Sequence, residues 1–309
     1  FDTIYLVHMR RIVGKDKKGR SVLINVPSYD EIYINNQIGQ PAYDVGIASS
    51  NDGFVVSELF AAGEKGLWYD ISDITTLFQD AAGTIPVTAF GQPVGKVLDK
   101  SGNGIHATQS TSANRPTYQF HSDGFPYLQF DGVNDSLVSS TLNLTTTDKV
   151  TWSAGFYVDS AASGSVAMEF SSNTNTNTGS FYISAPSSVL DHGFGLRGSS
   201  ASPVFAVVSN VYINDQNSDV ATGILDIGQA TKELELIPRL NQTTITNINW
   251  SGAANAGTGN FGNYPLYLGA RGGTTAFFNG HIYQVIIRGV TSTADQIYKT
   301  ERYIIDRMP

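Results

Sequence analysis

The chain has 309 residues and is 41% hydrophobic but only 15% charged, with a formal net charge of −8 and a pI near 5.0. An acidic chain excludes nucleic-acid binding as its main role, because phosphate contacts need a basic face. Cysteine is absent, which excludes disulfide staples and thiolate metal sites.

So low a charged fraction leaves Ser, Thr, Asn, Gln and Gly to cover the surface, the composition of all-β extracellular and virion proteins. Gly 31, Tyr 15 and Phe 16 point to tight turns and aromatic-rich strands. No run of eighteen apolar residues occurs, so no transmembrane helix and no membrane insertion are expected. Phe1 to Met9 is followed by two arginines and does not read as a signal peptide. The sequons at Asn134, Asn143, Asn241 and Asn249 are the chance matches of an Asn/Ser/Thr-rich chain.

Residues 1–65 read as a small β-unit suited to attachment or oligomerisation. Thr3 to Val13 and Ser21 to Val26 are apolar runs around a polar turn, Gly14 to Gly19, so a hairpin is expected. The basic run Arg10 to Arg20 is read as the solvated tip of that hairpin. Two further short strands are expected at Glu31 to Asn35 and Asp52 to Glu58.

The organising stretch runs from Gly66 to Gln109. It holds an aromatic anchor (Leu67, Trp68, Tyr69), a short helix or turn capped by Ser72 or Asp73 and running to Gln79, and a loop, Asp99 to Gly104. Beyond it, strands are expected at Tyr127–Phe130, Ser136–Ser139, Val150–Val158, Val166–Ser171, Ser180–Ala185, Gly193–Arg197 and Val204–Val208. More follow at Val220–Leu225, Lys232–Ile237, Thr243–Trp250, Leu266–Gly269 and His281–Ile287. Many short strands with regular turns imply a β-sandwich or jelly roll. Ser292 to Arg307 fits one amphipathic helix capped by Ser292 or Thr293.

Four segments carry a resemblance: LWYDISDITTLFQDAAGTIPVTAFGQPVGKVLDKSGNGIHATQ, YLQFDGVNDSL, GTGNFGNYPLYLGARGGTTAFFNG and HIYQVIIRGVTSTADQI. In this order they resemble the laminin-G-like, concanavalin A-like jelly rolls of bacteriophage virion and tail proteins. The resemblance runs from about Phe60 to the C-terminus and implies a mainly β fold: a concanavalin A-like jelly-roll sandwich over residues 66–309, with a small N-terminal β-unit and a short C-terminal helix. It implies a virion structural protein of the tail fibre, tail tip or baseplate that contacts a host-surface glycan or protein. The N-terminal unit would join other virion proteins and form a homo-oligomer. A capsid decoration or collar protein is the alternative, and a glycan-degrading enzyme a lower one.

The residues themselves argue for a binder rather than an enzyme. Glycoside hydrolysis needs two carboxylates close together. The chain has seven glutamates, and the nearest pair is Glu233 and Glu235, expected on one strand face as surface residues. The turn Phe130 to Asp135 (FDGVND) is read as an Asx-turn network joining two strands. No cofactor is expected, although two loops admit a calcium ion. Asp215, Asn217 and Asp219 have the alternate spacing of oxygen ligands, with Asp226 at the twelfth position, but Val220 stands where an EF-hand needs Gly. Asp131, Asn134 and Asp135 form the second loop. The five histidines lack metal-ligand spacing, and His281 is read as a structural residue of a strand. Gly257 to Gly262 spells G-x-G-x-x-G without βαβ context and is no dinucleotide site. Sugar recognition needs aromatic faces and amides; Trp250, Phe261, Asn263 and Tyr264, close together in sequence, are the ligand-binding candidates.

Overall fold

The computed structural model describes residues 5–7, 11–15, 21–25, 54–159, 165–184, 192–208 and 218–309. The chain divides into two compact units, Phe1–Phe54 and Val55–Pro309. In the first, strands β1 (Tyr5–Val7), β2 (Arg11–Lys15) and β3 (Ser21–Asn25) form an antiparallel sheet with Tyr5 opposite Val13 and Lys15 opposite Ser21. The run expected as one strand over Thr3–Val13 is thus two strands paired with each other. The strand expected at Glu31 to Asn35 lies outside the described residues.

The second unit opens with a 3-10 helix, Val56–Phe60, where a strand is expected; Val56, Leu59 and Phe60 are buried. The strands of its first half are β4 (Gly66–Asp70), β5 (Leu77–Phe78), β6 (Lys96–Val97), β7 (Ala107–Thr108), β8 (Thr117–Phe120), β9 (Pro126–Asp131) and β10 (Leu137–Asn143). The central strands are β11 (Lys149–Val158), β12 (Val166–Phe170), β13 (Ser180–Ser184), β14 (His192–Arg197) and β15 (Val204–Val208). Then come β16 (Ser218–Asp226), helix α1 (Lys232–Glu235), β17 (Leu236–Leu240), β18 (Thr243–Thr244), β19 (Asn249–Gly252), β20 (Asn263–Leu268), β21 (Asn279–Arg288) and helix α2 (Ala294–Ile305).

These strands make a sandwich of two antiparallel sheets, the mainly β architecture expected. One sheet runs β18-β17-β16-β11-β21-β9-β8; β4 shares an edge of β21 with β9. The other runs β19-β15-β14-β13-β12-β20-β10-β7-β6-β5. Period-two alternation sends Phe181 and Ile183, Phe194 and Leu196, and Leu266 and Leu268 inward. From the opposite sheet Trp152 stacks on Phe194, with centroids 5.6 Å apart, and on Phe181. Gly223 makes room for that indole, since a Cβ there would lie 2.5 Å from Trp152 Cε2.

Strand β21 is buried along almost its whole length, and α2 packs beside it on β11 and β16. Thr293 and Gln296 form a capping box at the start of α2. A bidentate ion pair then fastens the helix to β17: Arg239 donates from Nε and Nη2 to the two oxygens of Glu301, each at 2.8 Å, and Glu301 is wholly buried. Glu233 and Glu235 fall on α1 rather than on a strand. The turn starting at Thr231 winds the backbone, so Glu233 is exposed while Glu235 is buried and accepts from Ala256 N at 2.6 Å. They share no face.

The organising stretch is a clasp of hydrogen bonds. Asp73 caps a 3-10 turn at Ile74–Thr76, shorter than the expected run because Leu77 turns extended to join β5. The Asp99 carboxylate accepts from the backbone of Trp68, Ser101 and Ile105 and from Ser101 Oγ, which shapes the loop. Lys100 donates to Asp70 and Asp73 at 2.8 Å each and lies over the Trp68 ring. Burial raises the Asp70 pKa, but bonds from Gln284, Lys100 and Ser72 outweigh that and hold it below the ordinary range.

Candidate functional site

The residues expected to bind a ligand are divided by the fold. Trp250 sits on the edge strand β19, with four strands between it and β20. It pairs with Ala206, whose side chain faces the core, and packs against that core. Phe261 is wholly buried against Phe181. Tyr264 packs edge-on against Phe170 and donates its hydroxyl to Thr178 O at 3.0 Å. Of the four, Asn263 is exposed. Trp250 separates from the other three because β19 pairs with β15 whereas β20 pairs with β10 and β12.

The calcium candidates are also distributed. Asp215 and Asn217 lie outside the described residues. Asp219 accepts from His192 Nε2 at 2.8 Å and from Asn241 Nδ2 at 2.7 Å, which ties β14 of one sheet to β16 of the other. Burial raises the Asp219 pKa, and these two bonds overcome it. Asp226 accepts from Lys149. In FDGVND, Asp131 Oδ1 accepts from the backbone of Val133, Asn134 and Asp135, and Asp135 Oδ2 accepts from Asp131 N, the expected Asx-turn network. Burial, and next the Asp131 charge, push Asp135 up to about 6. Among the described residues no three His, Asp or Glu side chains form a metal-holding group.

His281 stands on the outer side of β21 between the rings of Tyr127 and Tyr157, at 3.8 and 4.7 Å. It also meets Tyr283 Oη and Asp159, so it is built into the structure as expected. Burial lowers its pKa to about 4.

A different cluster emerges on the outer face of the ten-stranded sheet. Among the described elements, α1 packs on β16 and β17 and α2 on β11 and β16, all strands of the other sheet. One register row crosses the ten-stranded sheet at right angles to its strands: Phe205 opposite Gly195, Gly195 opposite Tyr182, Tyr182 opposite Glu169, Glu169 opposite Tyr267, and Tyr267 opposite Val138. Inward neighbours alternate with each of these, so the row lies on the outer side of the sheet, where Phe205, Tyr267 and Val138 are half-buried while Tyr182, Glu169 and Gly195 are buried.

Glycine on β14 lets the rings lie down. A Cβ on Gly195 would meet Tyr182 within 2.8 Å of Cζ and closer at Cε1, and one on Gly193 would lie 2.5 Å from Phe205 Cζ. Tyr182 and Phe205 therefore stack over β14 with centroids 5.7 Å apart and planes 19° apart. At the centre, Arg271 Nε donates to Glu169 Oε2 at 2.9 Å while its guanidinium lies over Tyr182 at 5.0 Å. Glu169 is wholly buried and also accepts from Thr174 N at 2.6 Å. Burial pushes the Tyr182 phenol up to about 12, so it stays a neutral donor.

The expected ligand cluster rests on nearness in sequence, whereas this row draws one residue from each of six strands. Its signal in the sequence is HGFGLR, where two glycines alternate with core residues and leave one face of a strand empty. An empty face in a sheet implies large cross-strand rings filling it.

No protein-family model matches the chain, and no curated protein matches it. Solved structures do. The receptor-binding domain of botulinum neurotoxin D aligns at 8% identity over 81% of this chain and 54% of that one, with a TM-score of 0.52. The binding domain of botulinum neurotoxin serotype D/C aligns at 11% identity over 81% and 53%, with a TM-score of 0.49. Trypanosoma rangeli sialidase aligns at 12% identity over 75% and 36%, with a TM-score of 0.43. The chain spans about half the length of the two toxin binding domains. At these identities the likeness is one of fold.

Proposed function

We propose that the chain is a non-enzymatic binding protein of a bacteriophage virion, placed at the tail fibre, tail tip or baseplate. The outer face of its ten-stranded sheet contacts a host-surface glycan or protein. The observation that carries this reading is a pair of half-buried rings on that face, Phe205 and Tyr267, on either side of a buried centre in which Arg271 pairs with Glu169 and lies over Tyr182. Flat aromatic area with a few fixed polar groups is what recognition surfaces use. The fold shared with a toxin's receptor-binding domain supports it. The virion setting rests on the sequence resemblance. The N-terminal unit provides attachment to other virion proteins and self-association, and several copies raise weak single contacts to useful avidity.

The test is adsorption competition. Free full-length chain blocks infection by the phage that carries it, and Tyr267→Ala or Phe205→Ala loses that block while keeping the thermal midpoint. A block that survives both substitutions refutes this face as the contact. Free chain that never blocks, together with capsids weakened by its loss, favours the decoration role.

A further inference from the structure

We infer that strand β19 is a self-association edge, at which a second copy of this chain adds antiparallel and continues the ten-stranded sheet. Such pairing is independent of what the outer face binds. Three other sheet edges are closed. Beside β5, Gln79 N donates to Ile85 O at 2.7 Å and Val87 N to Leu77 O at 3.0 Å, with Pro86 opposite Phe78. Beside β8, Gly91 N donates to Tyr118 O at 2.7 Å and Tyr118 N to Gln92 O at 2.9 Å, with Pro93 opposite Thr117. Along β4, Trp68 N donates to the Asp99 carboxylate and Lys100 N to Trp68 O, both at 2.9 Å. Loops and prolines laid along an edge are how sheets avoid unwanted pairing. The remaining edges, β18 and β19, have no such cover among the described residues, and Thr243, Thr244, Asn249, Ser251 and Gly252 are exposed.

Register sets which backbone groups are free. Val204 lies opposite Gly252, and Ala253 N donates to Pro203 O at 3.0 Å, so the alternate residues Ser251 and Asn249 bond back to β15. The N–H and C=O of Trp250 and the N–H of Gly252 therefore point away from the sheet, and among the described residues no hydrogen bond reaches them. A strand related by a two-fold axis at Trp250 answers them. The two Trp250 residues exchange N–H···O bonds, and each Gly252 N–H meets the Ile248 carbonyl of the other copy. Charge selects a copy as the occupant. No Asp, Glu, Lys, Arg or His occurs from Leu240 to Ala270, and no proline from Leu240 to Tyr264. Two chains of −8 repel one another, and this uncharged edge lets them meet with least repulsion. On its flank Lys232, 5.7 Å from the Trp250 ring, is followed by Glu233 of opposite sign and by an exposed Leu234 that adds apolar area. A charged foreign strand would find no matching charge along the edge itself.

With the axis at Trp250, Asn249 of one copy stands opposite Ser251 of the other in a non-hydrogen-bonded pair, whose Cα atoms lie about 4.5 Å apart. A disulfide spans roughly 4.4–6.8 Å between Cα atoms, and the chain has no cysteine of its own. Full-length chains bearing Asn249→Cys and Ser251→Cys, mixed and mildly oxidised, should therefore cross-link into dimers about tenfold faster or more than either variant alone. Ser122→Cys, exposed in the turn between β8 and β9, sets the collision rate. In sedimentation, the double variant Asn249→Lys/Ser251→Lys should raise the dimer dissociation constant about tenfold or more, because like charges then face each other across the axis. Both positions are exposed, so the far-UV spectrum should be unchanged.

Cross-linking of the mixture no faster than Ser122→Cys overturns the pairing. Cross-linking of each variant alone as fast as the mixture overturns the two-fold register. A chain that stays monomeric at its highest soluble concentration overturns the second copy as the occupant. Dimers indifferent to the two lysines place self-association elsewhere, as in the N-terminal unit, and overturn the edge.

Discussion

Substituting Gly195→Ala probes whether the aromatic row is held flat by the empty side of β14. The backbone at Gly195 is not in the left-handed region, so alanine itself fits there. The added Cβ, however, falls within 3 Å of three atoms of the Tyr182 ring, where ordinary carbon contacts lie at about 3.5–4.0 Å. The ring must rise, which strips its contacts with Phe205 and Arg271. Overpacking of this kind costs about 1–3 kcal/mol. In a Tyr182→Ala background the obstacle is gone, and Gly195→Ala becomes neutral or stabilises by about 0.4–1 kcal/mol through the unfolded chain. Urea unfolding followed by tryptophan fluorescence measures both, because Trp68, Trp152 and Trp250 all lie in the sandwich unit. The double-mutant cycle should therefore show a coupling of about 1–3 kcal/mol. An equal cost of Gly195→Ala in both backgrounds refutes the ring as the cause. No cost in the wild type refutes the idea that the ring is held down at all.

The Arg239–Glu301 pair should be worth a comparable amount, since Glu301→Gln removes the charge that faces the half-buried Arg239 guanidinium, which keeps its bonds to Thr244 and Gln242. A loss of about 1.5–3 kcal/mol is expected, read by calorimetry as roughly 2–4 °C per kcal/mol; a loss under about 1 kcal/mol would mean that α2 docks through its apolar side alone. Arg271→Ala strands the wholly buried Glu169 and should destabilise by a similar amount, whereas Arg271→Lys should recover part of it, and equal urea midpoints for the two variants would contradict this. Asp135, at about 6, binds its proton more tightly in the fold than in the unfolded chain, where it sits near 4. Its contribution to stability is therefore present at low pH and is lost as pH rises from about 4 to about 6. Urea midpoints across that window should lose this downward component in Asp135→Asn, and an unchanged profile would count against it. His281 acts with the opposite sign: neutral in the fold down to about 4, it adds stability as pH rises from about 4 to about 6.5. Its imidazole proton resonance should titrate near 4 in the folded protein; a midpoint near 6.5 would rule this out.

Much of the architecture was legible in order of residues alone. Alternation in VTWSAGFYV and HIYQVIIR marks the two long strands at the centre of one sheet, and the helix with its Thr293 cap follows from periodicity. Turn chemistry in DKSGNG and FDGVND gave the loops, because Asp and Ser side chains bond amides only two or three residues away. Glu233 and Glu235 read as a strand because alternation over four residues cannot distinguish a strand from a single helical turn.

The binding face was not legible in that way. Phe205, Tyr182, Glu169 and Tyr267 are scattered between positions 169 and 267, and what brings them together is strand order and register. Both are settled by non-local pairing of the whole sheet, in which a slip of one residue would turn every ring inward. The chain's composition determined that the sheets would be covered by small polar residues. The tertiary structure decided which sheet carries the helices, because α1 and α2 both pack on the other one, and it decided that Phe205 and Tyr267 stay half-buried while Tyr182 and Glu169 between them are buried.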